Sequence, residues 1–175
     1  MELPTKPLII AVIGGGYPPP QAYDDAYNVG IALAERGVVV VCGGLSGVME
    51  AVCKGSKQAG GTTIGILPGN EPDNANSYVD IPICTGLSYA RNVLVVKTGR
   101  AVIAIDGSYG TMSEIAHALS DQIPVIGLNT WAFSIGGEQD ASVIRANDPK
   151  AVSYTHLRAH ETEADLVCRL LRGKK

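Results

Sequence analysis

The chain has 175 residues, of which 46% are hydrophobic, and its net charge is −3. This length is enough for one domain with one sizeable core. The negative charge argues against general binding to nucleic acid or anionic membranes, and no apolar run approaches the ~20 residues of a membrane span. The four cysteines have no CxxC spacing, so we expect reduced thiols in a cytoplasmic protein, with no disulfide framework and no metal site.

Apolar runs alternate with amphipathic segments along residues 8–150. The predicted strands are residues 8–13, 38–42, 62–67, 78–84, 100–105, 124–128 and 141–146. The predicted helices are residues 22–36, 46–59, 86–97 and 111–121, with Ser46 as the expected N-cap of the second. Pro82 indicates that its strand is an edge strand or only a partial strand. Repeated βα units predict an α/β fold: one domain, residues 1–150, with a doubly wound, Rossmann-like parallel sheet.

The last segment of the chain differs in character from the rest. Residues 152–162 and 165–171 resemble one reading frame of a transposon adapter used in DNA library preparation. We therefore interpret residues 151–175 as a non-native tail and leave them out of the functional reasoning. The alternative is a native C-terminal helix, in which leucines form an apolar stripe.

Glycine clusters follow three of the predicted strands. They are Gly14, Gly15 and Gly16 after the first strand, Gly43, Gly44 and Gly47 after the second, and Gly107 and Gly110 after the fifth. In doubly wound sheets, ligands bind beyond the carboxyl ends of the strands. Each cluster alone is compatible with a tight turn, but together they predict a nucleotide-sized pocket that favours anions.

Residues 106–114 carry the strongest functional signal. They connect a strand to a helix through a glycine loop, and this geometry exposes unpaired backbone amides to an anion at the positive end of the helix dipole. The predicted phosphate-binding residues are Gly107, Ser108, Tyr109, Gly110 and Thr111. Glu114 lies one turn further along the helix, near enough to act on whatever the phosphate carries.

Two other nucleotide motifs do not fit. The segment after the first strand begins like GxGxxG, but Pro19 stands where the last glycine belongs. The second strand also lacks the acidic residue that would hold a ribose, which argues against a dinucleotide-dependent enzyme. No GxxxxGK[ST] loop is present, so a P-loop NTPase is not indicated.

The combined pattern resembles the LOG ("Lonely guy") superfamily, often called lysine decarboxylases, in a bacterial branch related to molybdenum-cofactor carrier proteins. Residues 43–51 resemble its GGGxxGLM-type turn, residues 106–114 its PGGxGTxxE motif, and Arg91 the arginine of its RK pair. Three positions depart from that pattern: Asp106 replaces the proline, Ser108 the second glycine, and Asn92 the lysine.

The resemblance implies a cytoplasmic homo-oligomer without a cofactor that binds a nucleoside 5′-monophosphate. It also implies phosphoribohydrolase activity, which releases a free base and ribose 5-phosphate. Glu114 and Arg91 are the catalytic candidates: the carboxylate would stabilise the cationic ribose or activate water, and the guanidinium would hold the phosphate or assist departure of the base. The alternative is a carrier or sensor that binds a nucleotide or a molybdenum-cofactor-like ligand without turnover.

Overall fold

Parallel pairing joins all seven predicted strands into one sheet, in a computed structural model that describes residues 6–149. Residues 151–175, interpreted above as adapter-derived, lie outside the described part of the chain. The strands are β1 (Ile9–Gly14), β2 (Val39–Cys42), β3 (Thr63–Leu67), β4 (Ile81–Cys84), β5 (Val102–Ile105), β6 (Val125–Leu128), β7 (Ser134–Ile135), β8 (Glu138–Gln139) and β9 (Val143–Ala146). The main sheet has the order β4-β3-β2-β1-β5-β6-β9, while β7 and β8 form a separate antiparallel hairpin.

Helices cover both faces of the sheet, which is why its central strands are continuously apolar. The helices are α1 (Pro20–Ala34), α2 (Val48–Gln58), α3 (Asn92–Thr98) and α4 (Tyr109–Ser120), with short 3₁₀ turns at Pro72–Asn74 and Ser88–Arg91. Two buried apolar clusters result, one shared with α1 and α2 and the other with α3 and α4. The Rossmann-like α/β prediction is therefore confirmed.

Several local predictions need correction. The helix predicted over residues 86–97 is divided into a 3₁₀ turn and α3, and Ser88 at the start of that turn has a φ of +51°. Helix α2 starts after Gly47 without a side-chain cap, because the Ser46 hydroxyl donates to the Gly16 carbonyl instead. Cys42 and Cys53 are buried, whereas Cys84 is exposed on β4.

The strand order identifies where a ligand would bind. From β1 the chain proceeds outward through β2 and β3 to β4, and then returns to the other side of β1 to form β5, β6 and β9. Gly14 at the end of β1 pairs with Ile105 at the end of β5, so the two strands end level with each other. A crevice opens at such a switch point because the connections leave it in opposite directions.

Candidate functional site

The three glycine-containing loops lie side by side because they follow adjacent strands, β2, β1 and β5. The Val48 amide donates to the Gly15 carbonyl at 3.0 Å, which joins the second loop to the first. A methyl group added to Gly15 would lie 3.4 Å from Asp106 Oδ2, so the third loop borders the first on its other side. The convergence expected from the sequence is present at the carboxyl edge of the sheet.

Two of these glycines are required by contacts between the loops. A methyl on Gly14 would lie 2.5 Å from the Ile105 carbonyl, and one on Gly47 would collide with the Gly15 carbonyl. Gly47 also has a φ of +72°, a conformation that other residues rarely adopt. Both glycines bring backbone segments together, and this accounts for them without a ligand.

Gly43 and Gly44 follow β2 directly, beside the loop after β1. A methyl on Gly43 would lie 2.7 Å from Arg91 Nη2, so the glycine leaves room for the guanidinium. Gly44 has a φ of +73°, and its amide donates to the Cys42 thiol at 3.3 Å. The structure therefore places Gly43 against Arg91 and turns the Gly44 amide inward.

The start of α4 offers unpaired donors. Ser108 occupies the N-cap position without a side-chain cap, and within residues 6–149 the first-turn amides of Tyr109, Gly110 and Thr111 have no hydrogen-bond acceptor. The Thr111 hydroxyl is buried without a partner in the same region, directly beneath Gly107. A buried unpaired hydroxyl costs free energy unless something accepts from it, so this turn is suited to an anion.

Arg91 and Glu114 lie close together in the interior, as the sequence interpretation required. Arg91 ends the 3₁₀ turn before α3, Glu114 is in the second turn of α4, and each is only 7% exposed. Arg91 Nη1 is 3.8 Å from Glu114 Oε1, too long for a direct hydrogen bond. The same Nη1 donates to Asn92 Oδ1 at 2.6 Å, while Arg91 Nε has no partner in the described part of the chain.

Burial controls the electrostatics of this pair. Desolvation raises the pKa of Glu114 from its ordinary 4.5 to about 7, although the charge of Arg91 acts in the opposite direction. Desolvation likewise lowers the pKa of Arg91, partly offset by Glu114. Because a carboxyl with a pKa near 7 exchanges its proton easily at neutral pH, Glu114 is suited to acid–base chemistry.

Two residues outside the catalytic candidates connect Arg91 to the loop. Asn92 accepts from Arg91 and donates weakly to Ser113 Oγ at 3.5 Å, and the Ser113 hydroxyl donates to the Gly110 carbonyl at 2.7 Å. The sequence marked Asn92 only as a departure from a motif, and it gave no reason to select Ser113. The i, i+3 spacing of Gly110 and Ser113 at a helix start was the available signal.

An open cavity of about 500 Å³ adjoins this chain of hydrogen bonds, and neither Arg91 nor Glu114 is among its lining residues. Its lining includes Tyr89, Asn92, Ser108, Tyr109, Ser113 and His117. Tyr89 and Tyr109 are largely exposed, and Tyr109 contacts the Trp131 ring at 5.8 Å between centroids. Trp131 Nε1 also donates to the Ser108 carbonyl. Exposed aromatic rings beside polar groups suit a planar, hydrogen-bonding ligand.

Within residues 6–149, no group of three or more histidine, cysteine, aspartate or glutamate side chains is arranged to hold a metal ion. No helix in the same range is both long and apolar enough to cross a membrane.

The fold and site define a ligand-binding protein of the Rossmann-like α/β class, with its loops converging on a buried arginine–glutamate pair. The chain belongs to the SLOG cluster4 family, whose sequence model matches residues 7–154. The LOG-like relationship inferred from the motifs is thereby confirmed.

The proteins that this chain resembles include a hydrolase and a cofactor-binding protein. The chain is 47% identical over 116 residues to an uncharacterized protein of Archaeoglobus fulgidus, covering 66% of this chain and 76% of that one. It is 29% identical over 120 residues to the cytokinin riboside 5′-monophosphate phosphoribohydrolase of Mycobacterium tuberculosis, covering 63% and 64%. The solved structure of the molybdenum cofactor binding protein from Rippkaea orientalis superimposes with a TM-score of 0.79 at 36% identity, covering 87% and 96%.

Proposed function

We propose that the crevice binds a nucleoside 5′-monophosphate and hydrolyses its N-glycosidic bond. The observation that carries the proposal is the buried Glu114–Arg91 pair, located one turn from the unpaired amides that open α4. The 5′-phosphate binds to the amides of Tyr109, Gly110 and Thr111 and accepts from the Thr111 hydroxyl. The base extends into the cavity beside Tyr89 and Tyr109.

The reaction follows from the charge that develops on the sugar. As the C1′–N bond breaks, its electron pair leaves with the base and C1′ becomes oxocarbenium-like. Glu114 stabilises this positive charge and takes a proton from the water that adds to C1′. That proton passes from Glu114 to the departing base nitrogen, directly or through water, and the products are the free base and ribose 5-phosphate. Arg91 keeps Glu114 partly ionised through its charge.

The test incubates the full chain with AMP and measures adenine by chromatography and ribose 5-phosphate by a coupled assay. Glu114→Gln should lower kcat/KM by about 100-fold or more, the range typical of a lost acid–base group. Glu138→Gln is the matched control, since Glu138 is exposed on the β7–β8 hairpin and should have no effect. Equal turnover by Glu114→Gln would remove the assigned role.

A non-catalytic carrier is the second candidate, and the similarity to the Rippkaea protein favours it. In this case the planar part of a molybdenum-cofactor-like ligand occupies the cavity, and its anionic group binds at the start of α4. Asp106, Ser108 and Asn92, the departures from the hydrolase pattern, are compatible with binding alone. Tight binding of AMP or a phosphorylated pterin, without free base as product, would favour this function.

We also propose that the chain forms a homo-oligomer. Ile81 and Ile83 of β4 are close to half exposed, and they pair in register with Ile64 and Ile66, which belong to the cluster on the α3–α4 side. Leu94 of α3 is another exposed apolar side chain on that side. A second copy of the chain covers this surface, because contiguous apolar patches mark interaction sites.

A further inference from the structure

Asp106 holds an unpaired carboxylate at the switch point of the sheet. It follows β5 directly, at the edge where the crevice opens, and is half-buried. Its Oδ2 lies against Gly15, 3.4 Å from where a methyl on that glycine would be. No residue among those described donates a hydrogen bond to this carboxylate or forms an ion pair with it. An ionised carboxylate only accepts hydrogen bonds, so this half-buried side chain is available to a ligand that donates them.

The backbone fixes the position of this side chain. Asp106 has a φ of +51°, a left-handed conformation that costs a non-glycine residue free energy. Its amide donates to the Leu128 carbonyl at 3.2 Å, and its own carbonyl accepts from the Thr130 hydroxyl. The end of β6 and the segment after it therefore maintain the conformation. Proline cannot adopt a positive φ. The LOG-like proline that Asp106 replaces is therefore incompatible with this loop geometry.

We infer that Asp106 determines sugar specificity by accepting hydrogen bonds from the 2′- and 3′-hydroxyls of a ribose 5-phosphate unit. The inference rests on the proposed binding of a nucleoside monophosphate. The proposed phosphate position is at the unpaired amides of α4, and a second anion against Gly15 would be repelled by Asp106. The sugar then lies between these amides and Gly15. A metal ion would need further ligands, and among the described residues no group of three or more His, Cys, Asp or Glu side chains is arranged to hold one.

This arrangement predicts the substrate class. A hydrogen bond to the 2-hydroxyl strengthens as glycosidic cleavage proceeds, because the hydroxyl becomes more acidic beside the developing cation. Asp106 therefore favours ribonucleotides over 2′-deoxyribonucleotides, both in binding and in any turnover. The same contact selects ribose over 2-deoxyribose if the protein only carries its ligand.

The test measures the affinities of AMP and 2′-deoxy-AMP, and of ribose 5-phosphate and 2-deoxyribose 5-phosphate, by calorimetry. For the two nucleotides, which alone contain the bond to be cleaved, kcat/KM is measured as well. The wild type should prefer each ribose ligand by about 10-fold or more, as expected for a hydrogen bond to a charged group. Asp106→Gly, which tolerates the positive φ, should reduce this preference to about 2-fold or less while inorganic phosphate binds at least as tightly. Asp121→Asn is the control, because it removes an equal charge at the far end of α4.

Three results would overturn the inference. Equal affinity of the wild type for the ribose and deoxyribose ligands would show that Asp106 does not determine sugar specificity, while leaving the proposed function intact. An equal loss of AMP and inorganic phosphate affinity in Asp106→Gly would assign the residue to the phosphate loop instead. Absence of binding by AMP and ribose 5-phosphate would remove the proposed function and the inference together. A thermal melt of each variant verifies that it is folded.

Discussion

At the scale of single residues, the central feature is a buried ion pair whose two groups are too far apart for a direct hydrogen bond. Arg91 and Glu114 are 3.8 Å apart, and the shortest hydrogen bond of Arg91 is to Asn92 instead. Removing two charges from water is expensive, and a pair at this separation recovers only part of that cost. The uncompensated cost of burial raises the pKa of Glu114, and a carboxyl with a raised pKa is suited to acid–base catalysis.

The activity should depend on pH through Glu114. Because burial raises the pKa of Glu114 to about 7, hydrolysis that needs the carboxylate should increase as pH rises from 5.5 through about 7 and then level off. The rate of AMP hydrolysis by the full chain, measured at saturating and at low AMP, tests this. A flat profile from pH 5.5 to 8 would show that ionisation of Glu114 does not limit the reaction.

The same group should affect folding stability. A carboxyl whose pKa is raised in the folded state contributes stability that is fully present below its ordinary pKa of 4.5 and is lost as pH rises through about 7. The urea midpoint of the wild type should therefore fall between pH 5 and pH 8 relative to that of Glu114→Gln. Parallel midpoints of the two proteins over this range would contradict the assignment of the raised pKa.

At the scale of elements, close contact between loops holds the crevice together. Gly47 and Gly60 have nearly the same left-handed φ, +72° and +76°, but a methyl on Gly47 collides with the first loop and one on Gly60 meets nothing within 4 Å. Alanine at either position has the same backbone strain, so the difference between them isolates the loop contact.

We expect Gly47→Ala to destabilise the protein by about 2 kcal/mol more than Gly60→Ala, since it also forces backbone segments apart. Urea unfolding of the two variants provides the comparison. Gly47→Ala should additionally weaken ligand binding, because the loop after β1 moves. Equal destabilisation by the two substitutions would mean that the loops separate at little cost.

Much of the architecture could be predicted from the pattern of apolar residues alone. All seven strands of the sheet and the edge position of β4 were predicted, because a strand buried on both faces is continuously apolar and Pro82 suits an edge. The β7–β8 hairpin was missed because two-residue strands carry no period. The strand predicted from residue 78 begins only at Ile81, since the Asp80 carboxylate binds Thr63 and interrupts the ladder.

The candidate site could be predicted from the sequence only in part. Glycine clusters and the motif selected Arg91 and Glu114, which the structure brings together. The Ser46 hydroxyl bonds to another loop instead of capping its helix, and Tyr89 and Trp131 reach the site from segments with no local signal. These contacts depend on strand order, which periodicity does not encode.

At the scale of the whole molecule, the helices cover the sheet unevenly in the part of the chain that the structure describes. Each helix pair protects one face of the central strands, but β4 is exposed along its whole length. An apolar edge strand is a liability for a single molecule unless something covers it. We therefore place the proposed contact between copies on the β4 and α3 side.

Ile83→Lys should shift the assembly toward monomer, because it introduces a charge into the apolar surface of β4. Ile135→Lys is the matched control, as Ile135 is 76% exposed on the β7–β8 hairpin, away from that surface. Sedimentation velocity of the wild type and both variants measures the effect. A wild type that sediments as a monomer at micromolar concentration would remove the proposed contact.

The hydrogen bond from Trp131 to Ser108 has a practical consequence. The chain contains a single tryptophan, and its indole is attached to the loop expected to hold the anion. Intrinsic fluorescence excited at the indole band therefore reports the state of this loop without any label. A titration with phosphate-bearing compounds, followed by emission intensity and wavelength, allows libraries of candidate ligands to be screened optically.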